Sequence, residues 1–188
     1  MDSRTSKILN AILFFANKED RKTINRLKLM KLLWLSDRLH LNKFGRLILK
    51  DNYNALPHGP VPTRAMDFSK SSVEDFYSVS KFNIKANKET DNSYFSKSDV
   101  EILEQVWNQF GSMNQFDLRD FSHNFPEWLR YKSELENPVL PKSYSIIIDD
   151  FFNNPEGVSL GVNISSEEIN HSKEYYHSFN SIQSHLNG

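Results

Sequence analysis

Apolar residues are densest between residues 27 and 41, where Leu, Met and Trp recur too often for a helix with one apolar stripe. At helical spacing, one side of this segment carries Leu29, Leu32, Leu33 and Leu39. The other side carries Leu27, Met30, Trp34 and Leu41. Two apolar faces must both be buried, so the pattern predicts a central core helix.

The polar residues of this helix are confined to a narrow strip, formed by Lys28, Lys31, Arg38 and Asn42. We expect this strip to be the solvated edge of the helix, and the alternative interpretation is that its basic residues form a docking patch for an acidic partner. Asp37 lies between the two apolar faces. An unpaired buried charge is costly, so we expect Asp37 to bond a backbone N–H or a basic side chain, with Arg46 or Arg64 favoured.

An amphipathic helix is predicted over residues 6–17, before the core helix. Thr23 is placed to cap the start of the core helix, and Gly45 is placed to end it in a left-handed conformation. Residues 47–49 and 53–56 flank a polar tripeptide and predict a short hairpin. The run His58-Gly59-Pro60-Val61-Pro62 predicts a rigid turn, followed by a helix over residues 63–69.

The middle of the chain mixes weak strand and clearer helix signals. A strand is predicted over residues 76–84, with residues 93–95 as its possible partner. Residues 98–101 form a capping box that opens a helix ending at Gly111. Further helices are predicted over residues 115–122, 127–136 and 144–152.

The segment after Gly157 differs in character and is rich in Ser, Asn and His. Ser165 or Ser166 is placed to cap a helix with Glu167 and Glu168 in its first turn. One apolar stripe follows, formed by Tyr175, Phe179, Ile182 and Leu186. This stripe predicts burial, either against the rest of the chain or in a groove of a partner or a second copy, as in a homodimer.

Two motifs resemble a known family. The string LKLMKLLWLSDRLHLNKFGR starts at Leu27 and is followed by Tyr53, Ala55 and the His58–Val61 run. Phe116-Asp-Leu-Arg-Asp-Phe-Ser-His123 and Pro126-Glu-Trp128 come later. Their order resembles the Panacea, or SocA-like, domain of prokaryotic and phage proteins, although His58 replaces the family's usual aromatic residue.

The resemblance and the periodicity together predict a mainly α (α+β) fold. We expect a compact helical domain around a buried central helix, with a small β-hairpin and a C-terminal amphipathic helix. Residues 1–157 should form the Panacea-like domain and residues 158–188 an extension. We assign structural roles to Asp37, His40, Gly45, Arg46, His123 and Trp128.

Composition excludes several classes of function. The 188 residues carry a formal charge of −1, which gives no general reason to expect nucleic-acid binding. The chain has no cysteine and therefore no disulfide or thiolate metal site, as expected in a reducing cytoplasm. Neither a signal peptide nor a membrane span is apparent, so we expect a cytoplasmic protein.

Catalytic and metal motifs are weak. Asp37 and His40 are three residues apart, so they could face one ion together with His58 and His123, but a hydrogen-bonded core pair explains the spacing equally well. Nucleophile-elbow and phosphate-loop motifs are absent from the sequence. We therefore expect no enzyme activity, no cofactor and no metal.

The resemblance implies an antitoxin that binds and neutralises a cognate protein toxin. Candidate partner-binding residues are Lys28, Lys31, Arg38, Tyr53, His58, Gly59, Pro60, Val61, Tyr175, Phe179 and Ile182. Two alternatives remain open. One is an adapter that delivers the toxin to a Clp-type protease, and the other is a DNA-binding regulator of its own operon, which would need a basic recognition helix that is not predicted.

Overall fold

The fold was derived from a computed structural model, which describes residues 2–161 and 163–186 apart from the side chains of Ser184 and Leu186. The helices are α1 (Ser3–Lys18), α2 (Arg26–Phe44), α3 (Thr63–Phe68), α4 (Lys97–Phe110), α5 (Gln115–Ser122), α6 (Pro126–Leu129), α7 (Lys132–Glu136) and α8 (Ser166–Leu186). The strands are β1 (Thr23–Asn25), β2 (Tyr53–Leu56), β3 (Gly59–Pro62), β4 (Tyr77–Ser80), β5 (Asn83–Ala86) and β6 (Tyr144–Ser145).

The strands form two small antiparallel sheets beside the helices. One sheet has the order β1-β5-β4 and the other β3-β2-β6. The predicted mainly α (α+β) fold is confirmed.

Helix α2 lies at the centre, as its two apolar faces predict. Its buried apolar residues are Leu29, Met30, Leu32, Leu33, Trp34, Leu35, Leu39 and Leu41. Gly45 ends the helix in the left-handed region, as predicted. Thr23 does not cap it, because the chain is extended through β1 and the Asn25 side chain accepts the N–H groups of Leu27 and Lys28 instead.

The predicted solvated strip on α2 is wrong, because other segments of the chain cover it. Lys28 donates to the Gly111 carbonyl and pairs with Glu19 at 2.5 Å. The side chains of Lys31, Arg38 and Asn42 are fully buried. A helix at the centre of a domain has no free edge, so its polar residues bond neighbouring segments rather than water.

The hairpin is displaced from its predicted place. Strand β2 pairs with β3 across Pro57 and His58, with Leu56 opposite Gly59, so residues 59–62 are a strand rather than a turn. Residues 47–49 do not join it, since the Asp37 carboxylate accepts the N–H groups of Ile48 and Leu49. The helix predicted at residues 63–69 is present as α3, with Asp51 accepting the N–H groups at its start.

Three other predictions of local structure are wrong. Residues 76–84 contain two strands that reverse at Lys81, and Asn92–Tyr94 form a 3₁₀ helix under an Asp91 cap rather than a partner strand. The capping box of α4 uses Ser96 and Asp99 rather than Ser98 and Glu101.

The last two predicted core helices are also altered. The 127–136 helix is split into α6 and α7 at Tyr131, whose hydroxyl donates to the Ser145 carbonyl. Residues 144–152 form β6 and a 3₁₀ helix (Ile148–Phe152), because Tyr144 and Ser145 pair with β2 and the Ile146 N–H donates to the Tyr53 carbonyl.

Helix α8 begins at a reciprocal cap between Ser165 and Glu168 and packs against α2. Ser172 is buried, and Tyr176 packs near Phe152. The predicted stripe is not the packed face, because Tyr175 and Ile182 remain more than half exposed. The side chain of Leu186, the fourth predicted member, lies outside the described residues.

Candidate functional site

The two sequence motifs meet at one face of the molecule, where the β2–β3 hairpin lies against the end of α5. Gly59 has φ +94, a region that favours glycine. A Cβ at this position would overlap the Ser122 hydroxyl and lie 2.7 Å from the Lys31 Nζ. The close approach explains why the hairpin needs glycine here and fixes its distance from α2 and α5.

His123 and Trp128 brace the hairpin from the other side. Their rings stack with centroids 3.7 Å apart and planes 6° from parallel. The Trp128 Nε1 donates to the Leu56 carbonyl at the end of β2. Burial, aided by the charges of Lys31 and Arg119, lowers the pKa of His123 to about 4, so the ring is neutral at physiological pH. These contacts support the structural roles assigned to both residues.

Asp37 anchors the base of the hairpin. The buried carboxylate accepts the Ile48 N–H at 2.6 Å, the Leu49 N–H at 3.0 Å and the Tyr53 hydroxyl at 2.6 Å. Burial raises the pKa of Asp37 to about 6, although these three hydrogen bonds oppose the shift. The predicted burial and backbone bonding are confirmed, but the expected arginine partners are wrong.

Those two arginines have other partners. Arg46 lies 2.8 Å from Asp99, which also pairs with Lys7 at 2.6 Å. His40 bonds the Arg46 carbonyl and contacts Asp99 at 3.2 Å, so the expected hydrogen bond between Asp37 and His40 is not formed. Arg64 donates to the Thr5 hydroxyl.

A buried ion pair joins α2 to α6. The Arg38 Nε lies 3.0 Å from a Glu127 oxygen that also accepts the Trp34 indole N–H. Burial lowers the pKa of Arg38 and raises that of Glu127, while their attraction opposes both shifts. Arg38 further donates to the Asn153 carbonyl and to Asn154. The pair fixes α6, and with it Trp128, under the hairpin.

Lys31 is buried without a recorded carboxylate partner among the described residues. Its Nζ donates to the Pro60 carbonyl at 2.8 Å. Burial lowers the pKa of Lys31 well below its ordinary value. The hydrogen bond ties β3 to α2, so Lys31 supports the hairpin from inside.

A surface pocket of about 610 Å³ opens on this face. It is lined by the hairpin, by the start of α2 and by the start of α5, and its residues are Asn25, Arg26, Leu27, Leu56, Pro57, His58, Val61, Met66, Phe82, Gln115, Phe116 and Lys142. Phe82 and Phe116 are 59% and 54% exposed. Such a concave, mainly apolar surface is typical of a binding site.

The structure brings together only some of the predicted partner-binding residues. His58 and Val61 line the pocket, with His58 exposed. Tyr53, Gly59 and Pro60 are buried beneath the same face. Lys28, Lys31 and Arg38 are directed into the chain, and Tyr175, Phe179 and Ile182 lie on α8, which does not line this pocket.

Sequence reasoning missed several residues of the pocket. Leu27 was assigned to the core, and Met66, Phe82, Phe116 and Lys142 were not given a functional role. A signal existed for the two phenylalanines, since each stands alone among polar neighbours.

Comparison with known protein families was decisive. Residues 29–129 match the family described as antitoxin SocA-like, Panacea domain. The chain belongs to this family. The Panacea match covers α2 from Leu29 onward, both sheets except β1 and β6, and α3 to α6, and therefore most of the pocket. Membership assigns the chain a role in a toxin–antitoxin system in general, with a toxin as partner.

The comparisons with curated proteins and with solved structures identified no relative of the chain. Among the described residues, groups of three or more His, Asp or Glu placed to hold a metal ion are not found. In the same part of the chain, each helix is too short or too polar to cross a membrane.

Proposed function

We propose that this Panacea domain neutralises its cognate toxin by direct binding, without chemistry of its own, and that it does so in the cytoplasm. The observation that carries the proposal is the open apolar pocket, most of whose lining residues lie in the segment that matches the antitoxin family. Occupation of the pocket by the toxin would bury its exposed phenylalanines and cover part of the toxin surface.

The construction of this face supports a recognition role. The hairpin is held by the Asp37 hydrogen bonds, the Lys31 hydrogen bond to Pro60 and the Trp128 hydrogen bond to Leu56. A surface that is fixed before binding loses less conformational entropy when the partner docks. A rigid scaffold that carries exposed apolar side chains is therefore suited to tight protein binding.

The mode of docking is constrained by the edge of β3. In an antiparallel pair, every second residue directs its backbone N–H away from the partner strand. Pro60 and Pro62 occupy these positions in β3 and have no N–H. The unpaired edge of β3 therefore offers no amide donor at either proline, and its residues are buried, with the Pro60 carbonyl already accepting a hydrogen bond from the Lys31 Nζ. A partner would be bound by side chains in the pocket rather than by an added strand.

Co-expression tests direct neutralisation. The chain is produced together with its cognate toxin, in cells that contain or lack the Clp protease. We expect growth to be restored in both strains with the toxin level unchanged. Rescue only in the protease-containing strain, with loss of the toxin, would instead establish the adapter function.

A matched pair of variants links neutralisation to the pocket. Phe116→Ser removes an exposed apolar residue from the pocket rim, and Val139→Ser removes one that is 87% exposed and does not line it. We expect the affinity for purified toxin, measured by calorimetry, to fall at least about ten-fold in Phe116→Ser alone. Equal affinities of the two variants for the toxin would show that the toxin does not bind at the pocket.

A further inference from the structure

We propose that the pocket takes an apolar segment of the toxin that is flanked by acidic side chains. This inference rests on the proposed function, because it names the chemistry that the same pocket recognises. It follows from the charges that surround the pocket, which differ in sign from the chain as a whole, whose formal charge is −1.

The centre of the pocket is apolar and large enough for several side chains. Leu27, Leu56, Val61 and Met66 line it, and Phe82 and Phe116 extend it toward solvent. A pocket of about 610 Å³ lies within the usual range for sites that bind compact ligands. The matching occupant is a short run of aliphatic or aromatic side chains.

The charged residues of the lining are Arg26 and Lys142, and among the described lining residues no Asp or Glu occurs. Arg26 donates to the Lys81 carbonyl, and Lys142 donates to the carbonyls of Leu135 and Asn137. Carbonyl partners hold these side chains in place but leave their positive charges uncompensated. Both cations therefore remain available to attract a carboxylate.

A basic side chain lies over the ring of each exposed phenylalanine at the pocket. The Lys81 Nζ lies 5.3 Å from the Phe82 ring centroid, and the Arg119 guanidinium lies 5.4 Å from that of Phe116. Arg119 is paired with Asp120 at 2.7 Å, so its charge is largely balanced. Lys81 has no such ion pair among the described residues. The cations at the pocket or beside it that have no ion pair among the described residues are thus Arg26, Lys81 and Lys142.

This arrangement makes the pocket selective for apolar segments that have acidic residues beside them. An apolar run alone would fill the pocket, but acidic residues on its flanks would also meet the uncompensated cations. Basic flanks would meet like charges in a partly desolvated surface, which is unfavourable. Charge therefore decides among toxin segments that are equally apolar.

Fluorescent synthetic peptides test this selectivity on the full chain. One peptide has a Leu-Phe-Leu-Leu centre flanked by Glu, a second has the same centre flanked by Lys, and a third has a Ser centre flanked by Glu. We expect the first to bind at least about ten-fold more tightly than either of the others, by fluorescence anisotropy. The preference for Glu flanks should weaken as the salt concentration rises.

Variants of the chain assign the effect to the pocket. Lys142→Glu should reduce the preference for Glu over Lys flanks at least about ten-fold, whereas Lys85→Glu, on β5 outside the pocket, should leave it unchanged. Phe116→Ser should weaken binding of the first peptide, and Val139→Ser should not. Equal binding of the Glu- and Lys-flanked peptides, or equal effects of the paired variants, would overturn the inference.

The peptides also separate this inference from the proposed function. If the pocket selects the acidic apolar peptide but the chain does not bind purified toxin, direct neutralisation fails and the chemistry of the pocket stands. If the Phe116→Ser and Lys142→Glu variants neutralise the toxin as well as the parent chain does, direct neutralisation stands and the toxin does not use this pocket.

Discussion

Two exposed apolar surfaces of the molecule are built in opposite ways. The pocket beside the hairpin is concave and is assembled from segments far apart in sequence, most of them within the part that matches the Panacea family. The α8 surface is a stripe on one helix beyond that match, with Tyr175 and Phe179 stacked 6.3 Å apart, and its Phe179 lines a second, smaller pocket of about 440 Å³ beside the end of α2. The pocket is braced by buried polar bonds, whereas the α8 stripe is held by the packing of its helix, through Tyr176 near Phe152 and Tyr175 near Gly45.

The difference separates a shaped binding site from an exposed helix face. The pocket can select a partner by shape and charge because its walls are fixed. Of the described stripe residues, Phe179 lines the smaller pocket, whereas Tyr175 and Ile182 do not, and the role of the stripe in binding a toxin or a second copy stays a prediction. Changes that weaken the braces should therefore affect the pocket strongly, and changes to the stripe should have little effect on the folded chain.

Replacement of the hairpin's buried anchor should have the largest effect. Asp37→Leu leaves the Ile48 and Leu49 N–H groups and the Tyr53 hydroxyl without their acceptor. We expect the free energy of unfolding at neutral pH to fall by about 4 kcal/mol, measured by urea denaturation. Asp37→Asn keeps one acceptor oxygen and should lose roughly half as much. An unchanged midpoint in Asp37→Leu would contradict the assigned role.

Two glycine substitutions should distinguish close approach from backbone strain. Gly59→Ala introduces a Cβ against Ser122 and Lys31 in a residue with φ +94. We expect the free energy of unfolding to fall by about 3 kcal/mol. Gly157→Ala also has a positive φ, but no heavy atom lies within 4 Å of the added Cβ. It should cost only about 1 kcal/mol. Equal losses in thermal denaturation would show that the hairpin does not contact α5 as closely as described.

The bracing histidine should make the hairpin face sensitive to acid. The pKa of His123 in the folded chain is about 4, below its ordinary value of 6.5, so the folded state resists protonation. The stabilisation is present above pH 6.5 and is lost as the pH falls toward 4. Because His123 is partly exposed, we expect the free energy of unfolding to fall by about 1–2 kcal/mol more in the parent chain than in His123→Phe as the pH is lowered from 6.5 to 4. The His123→Phe variant keeps a ring against Trp128. Parallel pH profiles for the two proteins would refute this.

The smallest effect is expected on α8. Phe179→Ser combined with Ile182→Ser alters two exposed side chains, so stability should change by less than about 1 kcal/mol. Tyr176→Ser removes a ring that packs near Phe152 and should cost more. Circular dichroism melts compare the two directly. A larger loss in the double variant would mean that the stripe, rather than Tyr176, holds α8 to the core.

The central helix could be predicted from sequence because burial on two sides leaves a clear pattern. The predicted left-handed Gly45 and the buried Asp37 are confirmed for the same reason, since each follows from local chemistry. The polar strip of α2 could not be interpreted this way. A row of Lys and Arg has the same pattern whether it faces water or bonds distant carbonyls and carboxylates such as Glu127.

The pocket was accessible to sequence analysis only in part. His58 and Val61 were identified through a family motif, while the hairpin partner was wrongly assigned because pairing depends on which amides are already bonded elsewhere. Phe82 and Phe116 come from segments far apart in sequence. No local pattern shows that such residues share one cavity.

Photocross-linking within the antitoxin–toxin complex tests the central claim most directly. p-Benzoylphenylalanine replaces Phe116 at the pocket in one variant and Phe179 on α8 in another, two phenylalanines of similar exposure at 54% and 42%. We predict that irradiation joins the toxin to position 116 and leaves position 179 unlinked. A cross-link at position 179 alone would show that the toxin binds α8 and would contradict neutralisation through the pocket.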